Sequence, residues 1–296
     1  MPPLPAVLVQ RLESMEALDK PAEFLAGQVS KAVPTGPLKD LLSGTWLGHP
    51  VHPLLITVPI GCWTSATLLD LLAGKGAAPY AKRLVGAGIL SAFPTAMTGA
   101  SDWSDTLGGE RRVGLVHALG NYAAIGVYAL SWNARRKGRN GTGASLALLG
   151  ASMLGVTGYL GGHLTYAYGV GVDTTAFQSL DPEWTDVAAE AEVPADRALR
   201  VEVQGIGVAL ARANGAGGAV HALAERCTHR GGPLSGSAVE DGCLTCPWHG
   251  SRFRVTDGSV ERGPATMSAP TFEVKVQAGR VMIRRDEQRA LRSNPV

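Results

Sequence analysis

Cysteine is scarce in this 296-residue chain: it has four, and Cys62 is alone in the first two-thirds. With no partner there, Cys62 lies inside an apolar run and reads as packing. Histidine is also sparse, with seven residues and none after His249. Lys and Arg form no basic stripe interleaved with stacking aromatics, so there is no nucleic-acid signature. The net charge of +2 says little about partners. No cleavable signal is evident, and no internal repeat is convincing. Two loops lack acids altogether, and residues 173–196 lack Lys and Arg while carrying Asp173, Asp181, Glu183, Asp186, Glu190, Glu192 and Asp196.

What the chain has is apolar length. Four runs, about 54–73, 83–101, 113–132 and 144–164, each approach the twenty residues needed to cross a bilayer. Such runs can also be buried helices of a soluble core. Four of them with charged loops between argue for a membrane instead. Trp46, Trp103, Tyr166 and Tyr168 fall at one level of the implied bundle, and Tyr80 and Trp132 at the other, as interface aromatics do. Gly86, Gly88, Gly99, Gly150, Gly155, Gly158, Gly161 and Gly162 offer small surfaces for close helix packing. Before the runs, residues 1–50 read as short amphipathic helices (5–17, 22–32 and 37–43) broken at Pro21 and Pro34, a collar lying on the membrane surface. After them, 173–198 reads as a solvated acidic linker. Asp70, near the far end of the first run, is either interfacial or bonded to the second helix.

Basic residues set the expected orientation. Lys75, Lys82 and Arg83 follow the first run, and Arg135, Arg136, Lys137 and Arg139 follow the third. The loop between the second and third has Arg111 and Arg112 against Asp102, Asp105 and Glu110. Basic loops stay in the cytoplasm. Both termini of this multi-pass cell-membrane chain are then expected outside the cytoplasm.

His49, His52, His117 and His163 all fall at the face of the bundle nearer the C-terminal part, with His117 about one turn inside the third helix. Ionisable residues in a membrane default to a functional reading. His117 and His163, with His52 in reserve, form a candidate ligand set for a b-type haem, with Gly114, Gly120, Gly158 and Gly162 leaving room for a flat ring. A non-haem metal site and a structural or proton-handling role remain open beside it.

The C-terminal third holds the most specific signal. Cys227-Thr228-His229 and Cys246-Pro247-Trp248-His249 each supply one thiolate and one imidazole, sixteen residues apart. Two Cys on one iron and two His on the other is the ligand set of a Rieske [2Fe–2S] centre. A Cys2His2 zinc site is the competing reading, although zinc fingers keep Cys with Cys and His with His. In the longer runs CTHRGGPL (227–234) and CPWHGSRF (246–253), the region 199–286 resembles a ferredoxin-type Rieske domain. Short strands are expected at 201–203, 207–213, 219–224, 243–245, 252–255, 272–277 and 280–284. Cys243 then reads as a small buried residue, and His221 as core or edge.

The resemblance also implies a potential. High-potential members carry an extra cysteine in each box, joined as a disulfide, where this chain has Gly232 and Trp248. They also have a serine and a tyrosine hydroxyl bonding to sulfur. Ser251 is here, but Phe253 takes the tyrosine's place. This argues for the lower half of the range of about −150 to +300 mV. A Rieske oxygenase is excluded, because it needs a second, two-His one-carboxylate iron site and no histidine follows His249.

His49-Pro50-Val51-His52-Pro53, Ala100-Ser101-Asp102-Trp103, Val116-His117-Ala118-Leu119-Gly120-Asn121 and Gly161-Gly162-His163-Leu164 resemble a bacterial four-helix membrane family of unknown function, over roughly residues 40–173. The expected fold is thus a membrane all-α four-helix bundle (51–172) plus a soluble all-β Rieske domain (199–286), with a C-terminal tail (287–296). The expected function is membrane-anchored electron transfer with a partner protein or through the face histidines. A ferredoxin-like donor with a plain anchor and a quinone-linked oxidoreductase subunit are the alternatives. Oligomeric state is open.

Overall fold

The computed structural model describes residues 4–286, so the expected tail at 287–296 lies outside the described residues. The chain divides into two units, Met1–Pro34 with Pro50–Val170, and Thr35–His49 with Gly171–Val296.

The first unit is helical. Short helices α1 (Leu4–Glu13) and α2 (Asp19–Ala32) precede α4 (His52–Leu55), α5 (Thr57–Leu72), α6 (Ala78–Ser104), α7 (Gly108–Arg136) and α8 (Asn140–Tyr166). With α4 and α5 taken together, four helices are long and apolar enough to cross a membrane. Their side-chain distribution is inverted relative to a soluble bundle. Leu72, Leu90, Phe93, Leu130 and Val156 face outward, while Ala66, Ala81, Ala92, Ala124 and Ala147 fill the interior. A lipid solvent produces this, because burying Leu against Leu gains nothing over burying it in acyl chains. Small residues let the helices close instead. Trp63 stacks on Tyr128 with ring centroids 4.1 Å apart. That stack fits because Gly150 lies where a methyl would be 2.7 Å from the tyrosine ring. Gly88 accommodates Trp63 in the same way, whereas a methyl on Gly155 or Gly158 would meet nothing within 4 Å.

Three expectations change here. Pro21 does not break a helix but sits in the first turn of α2, where its missing N–H is unneeded. The N-terminal helices are also anchored to the bundle by specific contacts. Val9 of α1 is buried with Val113 and Leu160. Arg112 donates from Nε and Nη2 to the Asp19 carboxylate at 2.6 and 2.7 Å, and from Nη1 to the Glu13 carbonyl. Asp70 is paired with the third long helix rather than the second: Arg135 Nη1 donates to Asp70 Oδ1 at 2.8 Å and Nη2 to Oδ2. The Arg135 side chain is fully buried there.

The second unit is built on two antiparallel sheets. Their strands are β1 (Thr185–Ala189), β2 (Leu199–Val203), β3 (Ile206–Arg212), β4 (Val220–Ala224), β5 (Val239–Glu240), β6 (Cys243–Thr245), β7 (Arg252–Arg254), β8 (Val260–Arg262), β9 (Thr271–Gln277) and β10 (Arg280–Arg285). The larger sheet has the order β1-β10-β9-β4-β3-β2, and the smaller β5-β6-β7-β8. Phe253, Leu223, Leu234 and Leu244 form the core between the cluster loops and the large sheet. Each is fully buried and contributes about 1.5–3 kcal/mol. His221 lies on a central strand, paired with Ala211, and is half-buried. Cys243 is buried in β6.

The stretch 173–198, expected as a solvated linker, is folded onto this unit. Its strand β1 pairs with β10 at the sheet edge, and Leu180 is buried against Val203, Phe272 and Ile283. The acids line the outer side, where Asp186 meets Arg280 at 2.8 Å. Acidic composition describes that exposed face, while Leu180, Ala188 and Val193 supply the buried one. Helix α3 (Pro37–Ser43) belongs to this unit as well, not to a membrane-surface collar.

Candidate metal centre

The two boxes are loop tips with one shared backbone pattern. Cys227 N–H donates to Gly232 O at 2.8 Å, and Gly231 N–H donates back to Cys227 O at 2.8 Å. Cys246 N–H donates to Ser251 O at 2.8 Å, and Gly250 N–H donates back to Cys246 O at 3.0 Å. Closing so tight a loop needs a left-handed residue at its fourth step, and Gly231 and Gly250 take φ of 76° and 78°.

The closure aims the side chains inward. Cys227 and Cys246 are free and buried and share a hydrogen bond. That bond, with burial, pushes the Cys227 thiol well above its ordinary value. The same bond holds Cys246 down at about 6, against its burial and with help from the Trp248 and His249 N–H groups. The His229 and His249 rings sit edge to face with centroids 5.1 Å apart, and each buries its Nδ1. Burial first, then the charges of His249, Lys39 and Arg230, lowers the basicity of His229. Gly232 completes the cradle, because a methyl there would lie 2.8 Å from Cys246 Sγ and 2.9 Å from the Trp248 ring.

This donor set fits a two-iron cluster. Thiols lie beside each other and imidazoles beside each other, as two metal ions bridged by sulfide require.

Comparisons with known proteins find relatives of both parts of the chain. The family model described as Rieske [2Fe-2S] domain matches residues 183–273. The ferredoxin component of a naphthalene 1,2-dioxygenase system from Pseudomonas aeruginosa is 34% identical over 101 residues, 34% of this chain and 94% of that protein. The chain belongs to the Rieske [2Fe-2S] family. The Rieske part is a ferredoxin-type electron-transfer domain, and its family implies a [2Fe–2S] cluster. The membrane part, residues 48–174, matches the family described as predicted membrane protein (DUF2231). Apoptosis-inducing factor 3 of Mus musculus is 38% identical over 71 residues, 24% of this chain; the match spans only 12% of that relative's length. The solved complex of reduced oxygenase and oxidized ferredoxin in carbazole 1,9a-dioxygenase has a ferredoxin-sized chain covered to 98%. It covers 36% of this one at 28% identity, with a TM-score of 0.33.

Residues that the boxes did not reveal also shape the Rieske site. Thr174 Oγ1 donates to Cys227 O at 2.8 Å, and Thr228 Oγ1 donates to Met267 O at 2.7 Å. Thr174 follows Asp173, whose carboxylate accepts from Thr175 N–H and Oγ1. That local turn motif was the available signal. Ser251 Oγ accepts from Ala265 N–H at 3.0 Å, and Phe253 is core.

The membrane histidines are engaged differently from the expected facing pair. His117 Nδ1 donates to Thr157 O at 2.8 Å, and Asn121 Nδ2 lies 3.1 Å from His117 Nε2. A carbonyl only accepts, so Nδ1 carries the proton and Nε2 accepts from Asn121. Thr157 Oγ1 in turn donates to Asn121 Oδ1 at 2.8 Å. His163 Nε2 meets Glu13 Oε1 at 2.9 Å. His52 Nδ1 reaches Thr95 O at 3.0 Å and Thr98 Oγ1 at 3.1 Å. Because α7 begins at Gly108, His117 lies between two and three turns in, deeper than expected. The space beside Gly114 is filled by Trp103, and that beside Gly120 by the Thr157 methyl. A methyl on Gly158 would meet nothing within 4 Å, and one on Gly162 only the Tyr166 ring at 3.8 Å.

Proposed function

We propose that this chain is a membrane-anchored one-electron carrier whose [2Fe–2S] cluster is ligated by Cys227 and Cys246 on one iron and His229 and His249 on the other. The observation that carries this is the shared closure of the two loops, which aims one thiol and one imidazole from each into the same cradle. The cluster supplies one-electron chemistry. The chain's own groups point N–H groups at both sulfurs and bury them away from water. Gly232 and Trp248 in place of a disulfide, and Phe253 in place of a hydroxyl, favour a potential in the lower half of the Rieske range.

The four helices serve as the anchor, with the Rieske unit on the extracytoplasmic side. An even number of spans returns the chain to the side it left, consistent with residues 35–49 and 171–296 forming one unit. The partner is a redox protein, by analogy with the dioxygenase-system ferredoxin relatives. A haem relay is not part of this reading, because both ring nitrogens of His117 and Nε2 of His163 already have protein partners.

The test is electron paramagnetic resonance of the reduced protein. A Rieske signal in wild type, lost in His229→Ala and in His249→Ala, is expected. One zinc and no iron per chain, or a signal surviving either substitution, overturns the assignment.

A further inference from the structure

The stretch 35–49 precedes the first membrane helix in sequence, and its composition reads as part of a membrane-surface collar. Its contacts say otherwise. Asp40 Oδ1 accepts from Gly263 N–H at 2.9 Å, and Thr45 Oγ1 donates to Ala265 O at 3.1 Å. Thr35 lies against Gly250 of the second cluster loop, 3.1 Å from where a methyl would be. Ala265 also bonds Ser251 of that loop, so α3 is fastened to the segment that backs the cluster. On α3, next to Asp40, Lys39 is only 4% exposed, which is rare for a lysine. It is near enough for its charge to act on the His229 ring.

We propose that residues 35–49 form a fitted cap on the cluster site and that Lys39 is a positioning residue setting the reduction potential. This rests on the cluster assignment above. Taking up one electron adds one negative charge at the centre, and a buried ammonium on the helix fastened to the segment that backs the cluster favours that charge. Burial makes the effect large, since the charges interact in a low-dielectric surrounding with little screening. The cap thus shifts the equilibrium towards the reduced state, offsetting part of what the missing disulfide and tyrosine hydroxyl leave unprovided.

The experiment is a mediated redox titration of the full-length protein in detergent, followed by the cluster's paramagnetic signal. Lys39→Gln should load its cluster and lower the reduction equilibrium about three- to tenfold; tenfold is about 59 mV for one electron. Lys39→Arg, which keeps the charge, should stay within twofold of wild type. Gly263→Ala alters no charge, but its methyl would meet Thr45 Oγ1 and Asp40 Oδ1, the latter at 2.9 Å. By wedging the cap away it should shift the potential in the same direction as Lys39→Gln. A Lys39→Gln or Gly263→Ala protein within twofold of wild type overturns the proposal. So does Lys39→Arg shifting as far as Lys39→Gln, or Lys39→Gln failing to load a cluster while Lys39→Arg loads one. A wild-type protein without any Rieske signal removes the cluster assignment itself, a distinct outcome.

Discussion

Gly231 and Gly250 hold equivalent places in two loops of different sequence: each donates its N–H to the carbonyl of the cysteine four residues before it. Both have the left-handed φ that costs a side-chain-bearing residue about 1–3 kcal/mol. Gly250→Ala adds a methyl 3.1 Å from Thr35 Cγ2. Either alanine variant should lower the melting temperature and the iron and sulfide found per chain, with all four cluster residues intact. Full loading with unchanged melting would show that the closure does not depend on glycine.

The Asp70–Arg135 pair is the most deeply buried ion pair described in the bundle, with side chains 11% and 0% exposed. Removing one partner leaves a buried charge uncompensated, at a cost of about 3–5 kcal/mol. Asp70→Asn should therefore unfold far more readily in detergent than wild type. The double variant Asp70→Leu/Arg135→Met should recover much of the loss. Thermal unfolding of the three proteins decides it.

For the membrane histidines, the hydrogen bonds predict a structural phenotype. His117→Ala removes the ring's bonds to Thr157 O and Asn121 Nδ2, while Asn121 keeps the residue-117 carbonyl and Thr157 Oγ1, so the loss should be about 0.5–1.5 kcal/mol for each ring bond. Purified wild-type protein from haem-replete cells should contain two irons per chain and no b-type band in its reduced-minus-oxidised spectrum. A haem band lost in His117→Ala would reverse this reading.

The basic loops predict an extracytoplasmic C-terminus. Arg135 is consumed by Asp70 inside the bundle, but Lys75, Lys82, Arg83, Arg136, Lys137 and Arg139 remain on that side with no acid in the loops. Alkaline phosphatase fused after Val296 should be active. A fluorescent protein that matures there without export points to the opposite orientation.

The Rieske unit should lose stability on mild acidification through His221. Burial lowers its basicity in the folded state, so the unfolded chain takes up the proton first. The contribution is fully present above about pH 6.5, the ordinary imidazole value, and is lost as pH falls from there through the lower folded value. His221→Gln should flatten the stability profile between pH 7 and 5. An unchanged slope would assign it to other groups.

Much of the architecture was legible because its signals are local. Twenty-residue apolar runs announce spans irrespective of context, and the two boxes carry their ligand types within four residues each. Strands such as Ile206–Arg212 and Thr271–Gln277 were readable from β-branched composition between glycine turns. Strand β1 was not: its acids mask a buried edge that exists only once β10 is beside it. The setting of the membrane histidines was hidden on the same ground. Glycines beside histidines look like space in one dimension, and only packing shows Trp103 and Thr157 filling it.

The sequence by itself determined the candidate ligand boxes, the four apolar runs and the presence of Gly232, Trp248 and Phe253 beside the boxes, because each depends on residue type and near-neighbour spacing. Tertiary structure decided where distant segments meet. Asp70 chose Arg135, His163 chose Glu13, and residues 35–49 joined the Rieske unit through Gly263 and Ala265. Pairings across 65 to 223 residues leave no periodic trace in the chain. They follow from burial, which makes each desolvated charge or donor find a partner wherever the fold brings one within reach.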